Sequence, residues 1–430
     1  MDMVQQVITK VNEVFEKNYL DTLARETGLI KRKRKFDAKL FLEKLILLRL
    51  ESSHSSLEDL VYEFYKCDTD ISKQALHKKF NPAALEFIQK VLEKLLEDTK
   101  NDPGKYLSKV PFVKRIQVID SSQIRLNPLL KEHFPPMRNQ GAAVKLQSMM
   151  DVLSNQLWLL DVCASNEPDQ GYKKHIASTQ VGDLLIGDLG YFCVDSFKET
   201  QAKGGFFLSR YFKRTHLYDL NTEKQIDLRA ILRQAQAESI ELQIALGASR
   251  FPCRLVAIKL TEEAYQKRLR NLAEKDRKDP RSKTNPSDLL NEWTLFVTNL
   301  PLSVEANILL KLYSLRWQIE LLFKMIKTFL NLKKVDDVNP NRASISIYIS
   351  LIAMTLLSYV VMTIIDKEIS LYKASKILIK NIRKFFNLIN GKKKYAVIWL
   401  REQISLFALK ESRPNRPSTK LLLEASLCLS

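Results

Sequence analysis

The chain has 430 residues, 45% of them hydrophobic and 27% charged, with 11 Gly and 14 Pro. That length and composition exclude a small stapled scaffold, a fibrous protein and a largely disordered chain, and predict two or three units with sizeable cores. A formal net charge of +19 favours a polyanionic partner, either nucleic acid or an anionic membrane surface.

The cysteines (Cys67, Cys163, Cys193, Cys253 and Cys428) are scattered and form no Cys-x-x-Cys pair. This predicts neither a disulfide framework nor a zinc knuckle, and fits a reducing cytosol. Met1 to Lys17 lacks the continuous apolar run of a secretory signal. Residues 1 to about 100 read as helical. Phe36 to Leu50 carries apolar residues at helical spacing, and Ser55-Ser56-Leu57-Glu58 has capping-box spacing before a helix from Leu57 to Phe64. After a turn at Tyr65 to Asp70, Ser72 is placed to cap a helix over Lys73 to Asn81, which Pro82 closes. On that helix Ala75, Leu76 and Phe80 share one side, while Gln74, His77, Lys78 and Asn81 share a polar arc of about 100°. Helix, turn and polar second helix make a helix-turn-helix pattern, with Gln74, His77 and Lys78 as the DNA-reading residues. A solvated face of any helical domain carries the same pattern. The run Lys31 to Lys35 is likewise either a solvated charge run or a phosphate contact.

After Pro103-Gly104 the pattern changes to strands. Val113 to Asp120 is strand-like and ends on a carboxylate; Lys145 to Val152 and Gln156 to Cys163 form a hairpin around Ser154-Asn155; Leu184 to Gly187 is a short apolar run that stops at Asp188. Further strand-like pieces are Gly205 to Arg210, Arg254 to Leu260 and Trp293 to Leu300, interrupted by the charged stretch Glu262 to Lys283. From Ala306 onwards the chain reads as helices. The stretch Ala343 to Ile365 carries no charge and exceeds the roughly 20 residues a bilayer span needs, yet a helix buried in a soluble core looks the same. Lys373, Lys376, Lys380, Arg383 and Lys384 fall within about 100° of one helical face, which suits DNA tracking, a solvated surface or an interfacial membrane helix.

Asp120 and Asp188 each stand where an apolar strand stops, a position from which a side chain enters a cleft. Read as one helix, Leu312 to Lys327 puts Tyr313, Arg316, Glu320 and Lys327 within an arc of about 60°. An exposed face with local ion pairs would not explain the tyrosine; one acid, two bases and a phenol suit a cleft wall that holds a metal and phosphates. Trp317, beside Arg316, reads as a packing residue.

Tyr313-x2-Arg316-x3-Glu320-x6-Lys327, preceded in order by Asp120 and Asp188, resembles the YREK signature of DDE transposases of bacterial insertion sequences, the insertion sequence 4 family. The likeness is strongest over residues 110 to 335. It implies an α/β fold, a ribonuclease-H-like catalytic core interrupted by a mostly β insertion, with a helical N-terminal DNA-binding domain and a helical C-terminal region. The layout would be 1–105 for the DNA-binding domain, 106–193 and 303–365 for the two parts of the core, 194–302 for the insertion and 366–430 for the basic C-terminal region. The long gap between Asp188 and Glu320, with its strand-like pieces, agrees with an insertion. The resemblance further implies that Asp120, Asp188 and Glu320 hold two Mg²⁺ or Mn²⁺ ions, and that Tyr313, Arg316 and Lys327 hold phosphates. Trp293 resembles an insertion-domain tryptophan on which relatives stack a flipped base, although a core tryptophan fits the same position. The implied activity is cut-and-paste transposition, with terminal inverted repeats and target DNA as partners, a homodimer on paired ends, a bacterial cytoplasmic and nucleoid-associated location, and no membrane. A catalytically silent DNA-binding relative, or a ribonuclease-H-like nuclease without strand transfer, is the alternative.

Overall fold

The computed structural model describes residues 3–32, 36–52, 56–100, 112–136, 141–154, 156–278, 285–330, 332, 334–364, 369–391 and 393–409. Lys33 to Lys35 of the basic run, Ser55, Pro103-Gly104, Asn155 and Cys428 lie outside them. Two compact units divide the described residues: the first draws on 1–105, 120–167 and 318–416, the second on 106–119 and 168–317.

The first unit opens with α1 (Met3–Val14), α2 (Lys17–Glu26), α3 (Ala38–Glu51), α4 (Leu57–Tyr65), α5 (Lys73–His77) and α6 (Pro82–Lys100). Glu16, Asp37, Ser56 and Ser72 each accept a backbone N–H from the first turn of the helix that follows, which explains where α2 to α5 begin. The capping box lies one residue beyond the sequence expectation: Asp59 N–H donates to Ser56 Oγ at 3.1 Å, and Ser56 N–H returns to Asp59 Oδ2 at 2.8 Å. The helix expected to reach Asn81 stops at His77, and Pro82 opens α6 instead of merely closing α5. A proline lacks the N–H that a first turn cannot use, and Asn81 Oδ1 accepts from Ala84 N–H at 3.0 Å. Leu76 and Phe80 are buried as expected, whereas Ala75 is exposed.

β1 (Arg115–Leu126), β2 (Ala143–Asp151) and β3 (Gln156–Ala164) follow, with β2 and β3 paired antiparallel from Val144 opposite Ala164 to Asp151 opposite Gln156. β1 does not stop at Asp120. It continues through Ser121, Ser122 and Gln123, because the ladder is made by main-chain groups and polar side chains do not end it.

The second unit continues with α7 (Lys174–Ala177), β4 (Asp183–Gly187), α8 (Val194–Ala202), β5 (Phe206–Arg210), β6 (Leu217–Asp219), α9 (Leu228–Gln234), β7 (Ser239–Leu246), β8 (Phe251–Lys259), α10 (Glu262–Lys278), β9 (Trp293–Thr298) and α11 (Ala306–Ser314). The early residues of β1 pair parallel with β4, which pairs parallel with β5; β9, β8, β7 and β6 then extend the sheet antiparallel. Strands β6 and β7 escaped the sequence reading. Alternation along β9 sends Trp293, Leu295 and Val297 into an aromatic core with Phe192, Phe197, Phe207 and Phe251. Phe197 and Phe207 stack there at 4.3 Å between centroids. Phe296 points to the opposite face, where Tyr313 of α11 meets its ring at 5.2 Å. On β8 the buried Arg254 grips Glu241 through Nε and Nη2 at 3.1 and 2.6 Å, while Nη1 donates to the carbonyls of Pro301 and Val304 at 3.0 and 2.8 Å. That clamp holds the segment leading into α11.

The chain closes in the first unit with α12 (Trp317–Phe329), β10 (Lys334–Val335), α13 (Pro340–Ile364), α14 (Leu371–Lys380), α15 (Ile382–Gly391) and α16 (Lys393–Phe407). β10 pairs parallel with the late residues of β1, Arg125 opposite Lys334. Among the described residues α13 alone is long and apolar enough to cross a membrane, and 83% of its apolar window is buried. It packs against α1, α3, α6 and α14, as a core helix does.

The basic face expected from Lys373 to Lys384 is broken at Asn381, between α14 and α15. Arg383 turns inward to Glu51 and Glu63, and Lys384 lies 4.3 Å over the ring of Trp399. Glu63 also meets Lys66 at 2.9 Å and Lys44 at 3.6 Å. Burial opposes ionisation of Glu63, but hydrogen bonds from Arg383 and Lys66 and their charges outweigh it and hold the carboxyl down at about 2. A folded-state value below the ordinary 4.5 means that this stabilisation is complete above about pH 4.5 and is lost as pH falls towards 2. Because Arg383 and Lys66 are partly exposed, its size is on the order of 1–3 kcal/mol. Chemical unfolding of Glu63→Gln beside the unsubstituted protein should show a gap at pH 6 that narrows by pH 3; a gap independent of pH would contradict the assignment.

Candidate active site

Asp188 follows β4 in extended conformation (φ −81°, ψ −177°), and its Oδ1 accepts the N–H of Gly190 at 2.8 Å. This caps the short turn Leu189–Tyr191 and fixes the carboxylate at the strand end. The flanking glycines are there for space: a Cβ at Gly190 would meet Asp188 Oδ1 at 2.9 Å, and one at Gly187 would meet Ile119 at 3.1 Å. The parallel register pairs Arg115 with Asp183 and Val118 with Ile186.

Tyr313 and Arg316 belong to the same unit as Asp188. The uninterrupted helix expected over Leu312 to Lys327 is in fact two: α11 ends at Ser314, and α12 begins at Trp317. Arg316 N–H donates to the Tyr313 carbonyl at 3.1 Å, a tight turn that carries the chain from one helix to the next. Burial raises the Tyr313 hydroxyl above its ordinary range and nearby Asp188 adds to this, while Arg316, Arg210 and a hydrogen bond with Arg316 pull the other way. Tyr313 is therefore a neutral phenol at pH 7, within electrostatic reach of Asp188, Arg210 and Arg316.

Trp293 does not join this group. It is 2% exposed, in the aromatic core on the sheet face opposite Phe296, so its ring is not at a surface on which a base could stack. Trp317, expected to pack, is 46% exposed. Arg210 was missed, because an arginine that ends a strand carries no signal until the strand is paired.

In the first unit Asp120 is half-buried in mid-strand and its Oδ1 accepts Ser121 N–H at 2.8 Å. Glu320 stands in the first turn of α12 and Lys327 in its last, where an acid and a base each complement the helix dipole. Both are half-buried. Gln74 and His77 on α5, and Lys78 just beyond it, are exposed. Among the described residues no three His, Cys, Asp or Glu side chains form a ready ion-binding group. Each of Asp120, Asp188 and Glu320 offers carboxylate oxygens, which suit Mg²⁺ or Mn²⁺ over softer metals.

A family model described as the transposase DDE domain matches residues 111–356, more than half of the chain. The chain belongs to that family. The DDE domain match takes in Asp120, Asp188, Trp293, Tyr313, Arg316, Glu320 and Lys327, and leaves out Gln74, His77 and Lys78. The transposase for insertion sequence element IS231F of Bacillus thuringiensis subsp. israelensis is 28% identical over 403 residues, covering 86% of this chain and 84% of its own. The transposase for insertion sequence element IS1151 of Clostridium perfringens is 28% identical over 413 residues, 89% of this chain and 87% of its own. The transposase for IS231B of Bacillus thuringiensis subsp. berliner is 24% identical over 430 residues, 94% and 87% of the two chains.

Proposed function

We propose that this chain is a cut-and-paste DNA transposase of the insertion sequence 4 family, with Tyr313, Arg316, Glu320 and Lys327 as its YREK residues. It binds terminal inverted repeats, cleaves at the element ends and joins the 3′ ends to target DNA. The observation that carries the reading is Asp188 at the end of a parallel strand, held by the Gly190 N–H and electrostatically coupled to Tyr313 and Arg316. The end of a parallel strand is where an α/β sheet presents its chemistry. The DDE domain match and the insertion-sequence transposases among its relatives support the same reading.

In this proposal residues 106–193 and 303–365 form a ribonuclease-H-like core around the mostly β insertion 194–302, between a DNA-binding domain at 1–105 and a C-terminal region at 366–430. Asp120, Asp188 and Glu320 would hold two Mg²⁺ or Mn²⁺ ions. When bound, the ions activate water or a 3′-hydroxyl and stabilise the leaving oxygen of an in-line phosphoryl transfer. Arg316 grips phosphate oxygens as a planar fork, and the neutral Tyr313 donates a hydrogen bond without adding negative charge. Lys327 contributes a point charge to the same DNA strand. Gln74, His77 and Lys78 contact the terminal repeat, and the chain works as a dimer on paired ends at the bacterial nucleoid, away from membranes.

The test uses purified full chain and a duplex carrying the terminal repeat of its own element, with Mg²⁺. Cleavage at the element boundary and joining of the freed 3′ ends are expected. Binding without cleavage would favour the silent DNA-binding relative, and cleavage without joining a nuclease.

A further inference from the structure

Next to the strand end that carries Asp188, the sheet and two helices enclose a small cavity. Gly187 of β4 stands opposite Ser209 of β5, so both face one side of the sheet, and they line the cavity together with Asp188 and Tyr191. His175 of α7 and Ser196 and Thr200 of α8 line it as well. Its volume is about 20 Å³, room for one water molecule. Every lining residue belongs to the second unit.

His175 is 5% exposed. Its ring lies nearly parallel to that of Tyr172, at 5.7 Å between centroids, and Tyr191 meets it edge-on at 5.7 Å. Its Nδ1 is buried and has no hydrogen-bond partner among the described residues. Burial first, and the charge of Lys173 second, push the imidazole down to about 4, so at pH 7 it is neutral and has one donor and one acceptor nitrogen. Buried polar atoms in folded proteins nearly always find a partner, from the protein or from an ordered water. The walls can complete the bonds of such a water. Ser196 Oγ accepts from Lys173 Nζ at 2.9 Å and keeps its own proton to donate, while Thr200 Oγ1 and Ser209 Oγ, which donate to the carbonyls of Ser196 and Arg210 at 2.8 and 3.1 Å, keep lone pairs to accept. The same ring reaches Asp188 through the chain. Tyr191 N–H donates to the Asp188 carbonyl at 3.1 Å and Gly190 N–H to Asp188 Oδ1 at 2.8 Å, so the turn that fixes the carboxylate ends on the tyrosine that His175 braces.

We propose that the cavity binds one water, held by His175 Nδ1 and Ser196 Oγ, and that His175 is thereby a positioning residue for Asp188, keeping the turn Leu189–Tyr191 and its bond to the carboxylate in place. The consequence for DNA cleavage rests on the transposase reading above; the water site does not. A carbon in place of Nδ1 expels the water and frees the turn, and a displacement of about 1 Å at a reacting group costs on the order of 10²-fold in rate.

The test compares the full unsubstituted chain with His175→Phe, which keeps a ring without the nitrogen, with His175→Asn, which restores a polar atom near the position of Nδ1, and with His175→Ala. Amide hydrogen exchange over residues 188–191, without DNA or metal, reads the turn; Mg²⁺-dependent cleavage of a terminal-repeat duplex, and binding of that duplex without divalent cation, read the consequence. His175→Phe should speed exchange about ten-fold and lower cleavage roughly 10- to 100-fold, with end binding unaltered. His175→Asn should recover part of both losses, which His175→Ala does not. A residue that acted by ring packing alone would leave His175→Phe like the unsubstituted protein. Unaltered exchange in His175→Phe would overturn the water site, and unaltered cleavage the positioning role. Should His175→Phe unfold at a lower temperature, the two variants without a ring decide instead, and equal exchange and cleavage in His175→Asn and His175→Ala would overturn the proposal. Failure of the unsubstituted protein to cleave would overturn the transposase reading and the role of His175 in cleavage, while exchange would still decide the water site.

Discussion

Asp188→Asn is expected to lower the rate of DNA strand cleavage on the order of 10³-fold or more, about 4 kcal/mol of barrier, with little change in the fold. The separation of the two effects follows from what the carboxylate does locally. Oδ1 accepts the Gly190 N–H and caps the turn after β4. Asparagine keeps an oxygen at that position and is as good a cap, so the turn should persist. What disappears is one negative charge at a site that also holds Arg210, Arg316 and the Tyr313 hydroxyl. End binding should be retained or tightened, because the DNA no longer meets that carboxylate. Cleavage and end binding measured on the same preparation decide the matter: cleavage within ten-fold of the unsubstituted protein would remove Asp188 from the chemistry.

Arg254→Ala is expected to destabilise the second unit by about 3–5 kcal/mol. The substitution strips Glu241 of its partner and leaves the carbonyls of Pro301 and Val304 without their donor. It also opens a cavity in a part of the sheet that is almost fully buried, since the Arg254 side chain is only 2% exposed. Arg254→Met combined with Glu241→Gln should recover part of the loss, because methionine refills the space of the buried arginine stem and no carboxylate is left without its partner. Urea unfolding of the single and double variants tests this, and a single-variant loss below about 1 kcal/mol would show that the clamp is dispensable. The segment Arg254 holds leads into α11, so a loosened clamp should also reduce cleavage by shifting Tyr313.

Where the sequence was legible, the signal was local. The β2–β3 hairpin, the run into Asp188, the strands β5, β8 and β9, and the cap at Ser72 are all set by neighbours in the chain, and all are present. The break between α11 and α12 was invisible for a physical reason. The turn at Leu315–Arg316 keeps helix-like backbone angles at Leu315 (φ −63°, ψ −22°) and contains neither proline nor glycine, so nothing in the sequence marks it. The extension of β1 beyond Asp120 was hidden by Ser121, Ser122 and Gln123, which interrupt the apolar pattern without interrupting the ladder. Trp293 shows the opposite case. Its composition suited a stacking surface or a core equally, and only the alternation of β9 against its neighbours assigned it to the core.

By itself, then, the sequence determined the candidates: two aspartates in or after strand-like runs, a phenol, a glutamate and two bases at a fixed spacing, and a large positive charge. Those are properties of residues and of short intervals along one chain. The tertiary structure decided which of them share a face and an edge. Arg383 faces Glu51 and Glu63 because α15 packs beside α3, and Arg210 stands level with Asp188 because two strands adopted one parallel register. Pairing between strands distant in sequence depends on the packing of the whole sheet, and no local pattern encodes it.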